Sequence, residues 1–143
     1  MALRQRHIRR LHRSESTRPV TLLRAAAITL VTSLPFALPA GAQDAAAGER
    51  VFKTQCTSCH AAAAGKNMVG PSLFGLFGRK SSQVAGFRYS DANKAADLTF
   101  DAATLDRYLT APKEVIPGTI MTYAGLKNEQ QRKDLIAYLE SLK

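Results

Sequence analysis

Cys56 and Cys59 are the only cysteines in the chain, and His60 follows the second directly, in the run Cys56-Thr57-Ser58-Cys59-His60. C-x-x-C-H is the attachment signature of c-type haem. Each thiol can add across one vinyl group of the porphyrin, and two intervening residues space the sulfurs for this on one turn of helix. The next residue then lies over the iron, where an imidazole nitrogen is a common ligand. Three other uses of the motif fare worse. A thioredoxin-like redox pair expects a βαβ pattern, and none surrounds it. A structural zinc site needs four ligands, and the other histidines are His7 and His12, in a leader argued below to be removed. A plain disulfide leaves His60 without a role.

The leader is read from its charge and hydropathy. Arg4, Arg6, Arg9, Arg10, Arg13, Arg18 and Arg24 are offset only by Glu15, and an uncharged run follows from Ala25 to Gly41. That run carries Ile28, Leu30, Val31, Leu34, Phe36 and Leu38, and it ends in Ala40-Gly41-Ala42. A basic region, an apolar region and an A-x-A site make a secretory signal peptide over residues 1–42, with cleavage expected after Ala42 and export to the periplasm. The apolar run falls short of the ~20 residues of a spanning helix, and Pro35 and Pro39 interrupt it. An uncleaved anchor is the weaker alternative. The long basic region also fits a downstream translation start or an organellar transit peptide. Arg9-Arg10 lies too far ahead of the apolar run to carry weight.

Removing the leader changes the meaning of the charge. Seven of the 20 Lys+Arg and one of the 11 Asp+Glu precede residue 43, so the net charge falls from +9 to +3. The basicity that would suggest a nucleic-acid partner belongs mostly to the leader. Residues 43–143 form one small domain whose polypeptide core is modest. A covalently held porphyrin would add a large apolar body at its centre.

Helices are expected to dominate that domain. The first runs from about Ala45 through Cys56, with Gly48, Phe52 and Cys56 on one face. The last is capped by Asn128, with Gln131 three residues on in a capping-box pattern, and presents Leu135, Ile136, Tyr138, Leu139 and Leu142 along one side. Gly48 facing an aromatic of the last helix would allow a close crossing. Asp101 to Leu109 reads as a helix stopped before Pro112, and Ser90 to Lys94 as a short helical turn. The remainder is rich in Gly and Pro, as expected of loops wrapping a flat cofactor, and no strand or repeat pattern stands out.

The second iron ligand decides between chemistries. An open sixth position binds or activates small molecules, whereas two protein ligands mostly pass electrons. Beyond the leader there is no histidine besides His60, so bis-histidine ligation is excluded by counting. Met68 lies too near His60 in sequence to reach the other haem face comfortably. Met121 follows Ile116-Pro117-Gly118-Thr119-Ile120, where the Pro-Gly turn can hold the loop extended against the ring. A methionine is often only core filler. In a chain committed to haem, Met121 is the expected second ligand, and thioether ligation favours Fe(II) and raises the potential.

From Gly48 to Leu142 the chain resembles class I cytochromes c of the mitochondrial and bacterial cytochrome c2 type. The matching blocks are collinear: Gly48-Glu49-Arg50-Val51-Phe52, Cys56 to His60, Gly70-Pro71, Gly75-Leu76-Phe77-Gly78-Arg79-Lys80, Tyr89 to Lys94, Pro117 to Met121, and Asp134 to Leu139. The resemblance implies a small all-α fold of helices and loops around one covalent haem c. It implies that the Pro71 carbonyl accepts the other ring N–H of His60 and fixes its tautomer. It also implies that Tyr108, Asn93 and Thr119 are the polar groups beside the methionine, and that Arg79 and Tyr89 donate to a buried haem propionate. Gly48 and Phe52 against Tyr138 are implied to form the crossing of the terminal helices.

Departures from the family pattern bear on the cofactor and on partners. Phe100 stands where a tryptophan commonly donates to a propionate, and phenylalanine has no N–H to give. Ile120, Gln55 and Asn128 stand where lysines are frequent, and Tyr123 where a phenylalanine is often found near the haem edge. Lys113, Lys127 and Lys66 would supply either a thin version of the family's lysine ring or no more than a solvated surface, with an apolar contribution from Ile120 and Tyr123. The expected activity is therefore single-electron shuttling by a soluble, monomeric, periplasmic carrier rather than an enzyme. By resemblance its donor is a bc1-type complex, and its acceptor a terminal oxidase, reaction centre or peroxidase. Membranes are met only through such complexes. The alternatives are a fixed electron-entry module of a dehydrogenase or oxidase, and a ligand-binding or peroxidatic haem protein with a labile Met121.

Overall fold

Asp44 starts the first helix by doing two jobs at once. In the computed structural model, which describes residues 42–143, its carboxylate accepts from the Ala46 and Ala47 amides at 2.8 and 3.1 Å. Its own N–H donates to Asp134 Oδ1 at 3.0 Å, tying that end to the last helix. Helix α1 spans Ala45–Gln55, α2 Asp91–Ala95, α3 Ala102–Thr110, α4 Pro112–Val115 and α5 Glu129–Ser141. The leader assigned to residues 1–42 lies, except for Ala42, outside the described residues.

Helices α1 and α5 form the frame. A Cβ built at Gly48 would collide with the Asp134 carbonyl and stand 2.9 Å from Tyr138 Cβ, so only glycine permits this approach. One turn on, Phe52 meets Tyr138 with ring centroids 5.3 Å apart. Phe52, Leu135, Ile136 and Leu139 are buried here, joined by Leu105 and Leu109 of α3. Each such side chain contributes about 1.5–3 kcal/mol on burial. Arg132 fastens α5 to α3: it is 8% exposed, its Nε donates to Asp106 at 2.8 Å, and its Nη1 reaches the Leu126 and Lys127 carbonyls at 3.0 Å each.

The helical expectations hold with adjustments. Asn128 caps α5 by accepting from the Gln131 amide at 3.0 Å, but among the described residues only this half of the capping box forms. Ser90 caps α2 and Asp101 caps α3 in the same way. The helix before Pro112 ends at Thr110 as expected, yet Pro112 then opens α4, one further turn. Proline is tolerated there because the first helical N–H has no partner to lose. Helices are the regular structure of residues 42–143, as expected, and loops make up the remaining larger share. No strand occurs among the described residues, only an isolated antiparallel bridge between Lys80 and Thr99. None of the described helices is long and apolar enough to cross a membrane.

Candidate haem site

The motif begins where α1 stops. Cys56 is the C-cap of α1, its N–H still bonded to the Phe52 carbonyl, and the chain then tightens so that the Cys59 and His60 amides both return to the Cys56 carbonyl at 3.0 and 2.8 Å. This turn carries the two thiols and the imidazole together. Burial pushes the Cys56 thiol up to about 11, with Cys59 adding to the effect. A thiol held so far above neutrality is a poor nucleophile by itself, unlike the activated cysteines of redox C-x-x-C proteins.

His60 is oriented by the segment that returns beneath it. The Gly70 amide donates to the Cys59 carbonyl at 2.8 Å and the Leu73 amide to the Ala61 carbonyl at 2.9 Å. This pairing brings the Pro71 carbonyl to 2.8 Å from His60 Nδ1. A carbonyl can only accept, so Nδ1 carries the proton and Nε2 presents its lone pair. Burial lowers the His60 pKa, against the opposing pull of the Pro71 bond, and so favours the neutral ring. Gly70 is required by proximity: a Cβ there would collide with His60 Cε1 and lie 2.6 Å from Nδ1.

Met121 is held differently, by side chains alone. Tyr108 on α3 directs its hydroxyl to Met121 Sδ at 3.4 Å. The Met121 amide donates to Thr119 Oγ1 at 3.3 Å, Thr119 Oγ1 donates to Asn93 Oδ1 at 3.1 Å, and Ser90 Oγ donates to the same oxygen at 2.9 Å. Burial raises the Tyr108 pKa, with hydrogen bonds to Thr119 and Asn93 acting the other way. Every polar residue assigned to this side by resemblance is thus brought together around the sulfur. Met68 is not among them: it is 43% exposed and lines a separate shallow hollow with Lys53, Lys66 and Tyr138.

Cys56, Cys59, His60 and Met121 all line one cavity of about 530 Å³, floored by the buried Leu105, Leu109, Leu135 and Leu139. A volume of this size suits a cofactor-sized ligand. The donor set suits haem: two thiols on one turn, a neutral imidazole nitrogen, and a thioether. Further along the same wall, Arg79 donates through Nη1 to the Phe74 carbonyl at 2.8 Å and through Nη2 to the Ser72 carbonyl at 3.2 Å. Desolvation lowers the Arg79 pKa, and nearby Tyr89 opposes that. Tyr89 accepts from the Val84 amide at 3.2 Å, and its own O–H finds no acceptor among the described residues.

A cytochrome c family model matches residues 45–143. The chain belongs to the cytochrome c family. It is 54% identical over 103 residues to cytochrome c2 of Blastochloris viridis, covering 71% of this chain and 80% of that one. It is 52% identical over 103 residues to cytochrome c of Chlamydomonas reinhardtii, covering 71% and 90% respectively. Among solved structures, cytochrome cH from Methylobacterium extorquens matches with a TM-score of 0.64 and 42% identity, over 68% of this chain and 98% of that one. The chain is accordingly a monohaem cytochrome c with one covalent haem c, an electron carrier that meets redox partners transiently. Its small helical fold is the cytochrome c fold anticipated from the motif blocks.

Two features of the site escaped the sequence reading. Asn67 clamps the loop beneath His60, donating to the Ala85 carbonyl at 3.0 Å and accepting from the Ser72 amide at 3.0 Å. Ser82 also lines the cavity, in left-handed backbone. No local pattern marks either residue, since both roles depend on contacts distant in sequence.

Proposed function

We propose that this chain is a periplasmic carrier of single electrons whose haem iron is ligated by His60 Nε2 and Met121 Sδ, with Cys56 and Cys59 as the thioether anchors. The observation that carries this reading is the shared cavity, in which the Pro71-fixed tautomer of His60 and the Tyr108-directed sulfur of Met121 are both presented. Bound haem c supplies a one-electron Fe(III)/Fe(II) couple. Pro71 keeps the His60 proton on Nδ1 in both redox states, so the ligand nitrogen never needs to titrate. Tyr108, Thr119 and Asn93 fix the methionine loop, and the apolar floor keeps water from the site. Arg79 and Tyr89 offer donors to a haem carboxylate.

Encounter takes place at the rim of the cavity. Ile120 is 64% exposed and Val69 77% exposed, and both line the cavity wall. Tyr123 is half-buried beside them, its hydroxyl donating to Gln55 Oε1 at 3.5 Å. Lys66, Lys113 and Lys127 are exposed. An apolar rim with few lysines fits a small, transient docking patch whose steering weakens with salt. By resemblance, a bc1-type complex would be the donor and a terminal oxidase, reaction centre or peroxidase the acceptor. Residues 1–42 serve as the export signal in this reading, and 43–143 as the exported domain, without catalytic residues. The start of the family match at residue 45 supports that division.

The test is an absorption spectrum of the exported protein, oxidised and reduced, with carbon monoxide added to the reduced form. A long-wavelength iron–sulfur charge-transfer band in the oxidised protein, and no response to carbon monoxide, is the expected result. A missing band with ready carbon monoxide binding would overturn Met121 ligation and favour a ligand-binding or peroxidatic protein. The mass of the exported chain tests the leader: an intact N-terminus would favour a fixed electron-entry module.

A further inference from the structure

The peptide unit between Pro71 and Ser72 is bonded at both of its ends. Its carbonyl accepts from His60 Nδ1 at 2.8 Å, and its amide donates to Asn67 Oδ1 at 3.0 Å. In a planar trans peptide these two groups point in opposite directions. Asn67, the peptide and the imidazole therefore form one continuous chain of hydrogen bonds. The partners dictate which way the Asn67 side chain faces. An amide N–H can only donate and a carbonyl can only accept, so Oδ1 meets Ser72 and Nδ2 donates to the Ala85 carbonyl at 3.0 Å.

This peptide is also shielded from water. Ser72 is 2% exposed, its Oγ donates to the Ala63 carbonyl at 2.6 Å, and its own carbonyl accepts from Arg79 Nη2 at 3.2 Å. Hydrogen bonds in series polarise one another, by ~10–30% per bond in such surroundings. Asn67 Oδ1 draws on the Ser72 proton, and electron density moves toward the Pro71 oxygen. That oxygen then accepts more strongly from Nδ1, and Nε2 becomes a better electron donor. Placement of the Pro71 carbonyl does not depend on Asn67, because the backbone bonds from Gly70 to Cys59 and from Leu73 to Ala61 already set it. What Asn67 adds is polarisation.

We propose that Asn67 is a positioning residue that tunes the haem potential through the Pro71–Ser72 peptide, by strengthening the bond on His60 Nδ1. This role rests on His60 ligating the iron, as proposed above. A more strongly donating imidazole favours Fe(III) over Fe(II), so Asn67 lowers the potential and its removal raises it. A buried amide needs an acceptor in any case, so a loss of stability on removing Asn67 would be expected from a structural role too. The potential and the state of the ring proton separate the two.

The experiment uses the holoprotein with Asn67→Leu and Asn67→Asp. The reduced spectrum and the charge-transfer band of the wild type come first; their absence would remove His60 and Met121 ligation before Asn67 is tested. The two readouts are the midpoint potential at neutral pH and the nuclear magnetic resonance of the His60 Nδ1 proton in the reduced protein. Leucine has no acceptor, so the ring proton should move upfield. The Fe(II) to Fe(III) ratio at a fixed applied potential should rise several-fold, short of the tenfold that equals ~59 mV for one electron. Aspartate keeps the acceptor and makes it anionic, so the ring proton should move downfield and the potential should fall. Both variants lose the bond to Ala85 and should be less stable. A purely structural role would lower stability in both without sending the ring proton in opposite directions. A ring proton that keeps its wild-type position in either variant, or a potential that rises in Asn67→Asp, would overturn the role assigned to Asn67. If Asn67→Leu does not fold, Asn67→Asp decides alone by the same two readouts.

Discussion

The two candidate ligands are held by different kinds of structure. His60 stands at the end of the α1–α5 frame, within a turn of backbone hydrogen bonds and over a carbonyl that dictates its tautomer. Met121 stands in a loop, held by a chain of hydroxyl and amide side chains from α2, α3 and its own segment. Backbone bonds survive most single substitutions, whereas a side-chain network loses a member with each one. The histidine side should therefore fail only when the backbone packed against it is disturbed, and the methionine side should fail while the fold persists.

The largest effect is expected on the frame. Gly48→Ala places a methyl group against the Asp134 carbonyl and forces α1 from α5. Overpacking of this kind costs about 1–3 kcal/mol and more where backbone is in the way, so roughly 3 kcal/mol is expected, read as a lowered denaturant midpoint. Near-wild-type stability would mean that the crossing can relax and that the frame is softer than argued.

Gly70→Ala comes next, because the added methyl displaces the His60 ring rather than separating helices. Its expected cost is about 1–3 kcal/mol, with a perturbed haem spectrum in the same variant. A normal spectrum would show that the ring can yield without losing its bond to Pro71.

Met121→Leu reverses the pattern. Methionine and leucine are close in volume, so stability should change by less than about 1.5 kcal/mol through packing. The charge-transfer band should nevertheless vanish, carbon monoxide should bind, and the potential should fall. If the band and the indifference to carbon monoxide both survive, the sulfur was never the ligand.

The same contrast explains what could be read from the sequence. The C-x-x-C-H turn and the caps at Asn128, Ser90 and Asp101 are local, so residue type and spacing carry them. Met121 as the candidate second ligand was reachable by elimination among few methionines. The pair between buried Arg132 and half-exposed Asp106 was not, because an arginine on a helix normally faces water and nothing near it marks the exception. The pairing of residues 78–81 with 98–100 escaped for a similar reason: it follows from tertiary contact and shows no alternating pattern. The buried, unpartnered hydroxyl of Ser82 is a property of the finished fold. The one helix that escaped, α4, is a single turn opened by Pro112, a residue that stops α3 yet can start a new helix.

The smallest effect, and the one that isolates the methionine side, belongs to Tyr108→Phe. The ring is 8% exposed and packs edge-on against Phe100 at 5.6 Å, so phenylalanine keeps the contact and removes only the hydroxyl at Met121 Sδ. The stability cost should be about 1 kcal/mol or less. The pH response carries more information. Burial raises the Tyr108 pKa in the folded protein above its unfolded value of about 10. The folded state therefore holds that proton longer, and its contribution is complete below the unfolded pKa and declines as pH rises through the folded one. In the wild type the charge-transfer band should weaken across that alkaline window while far-ultraviolet dichroism stays constant, since only the loop is loosened. In Tyr108→Phe the onset should move to higher pH. An unchanged onset would show that another group governs the loop, and a simultaneous loss of dichroism would show that the two sides are not independently held.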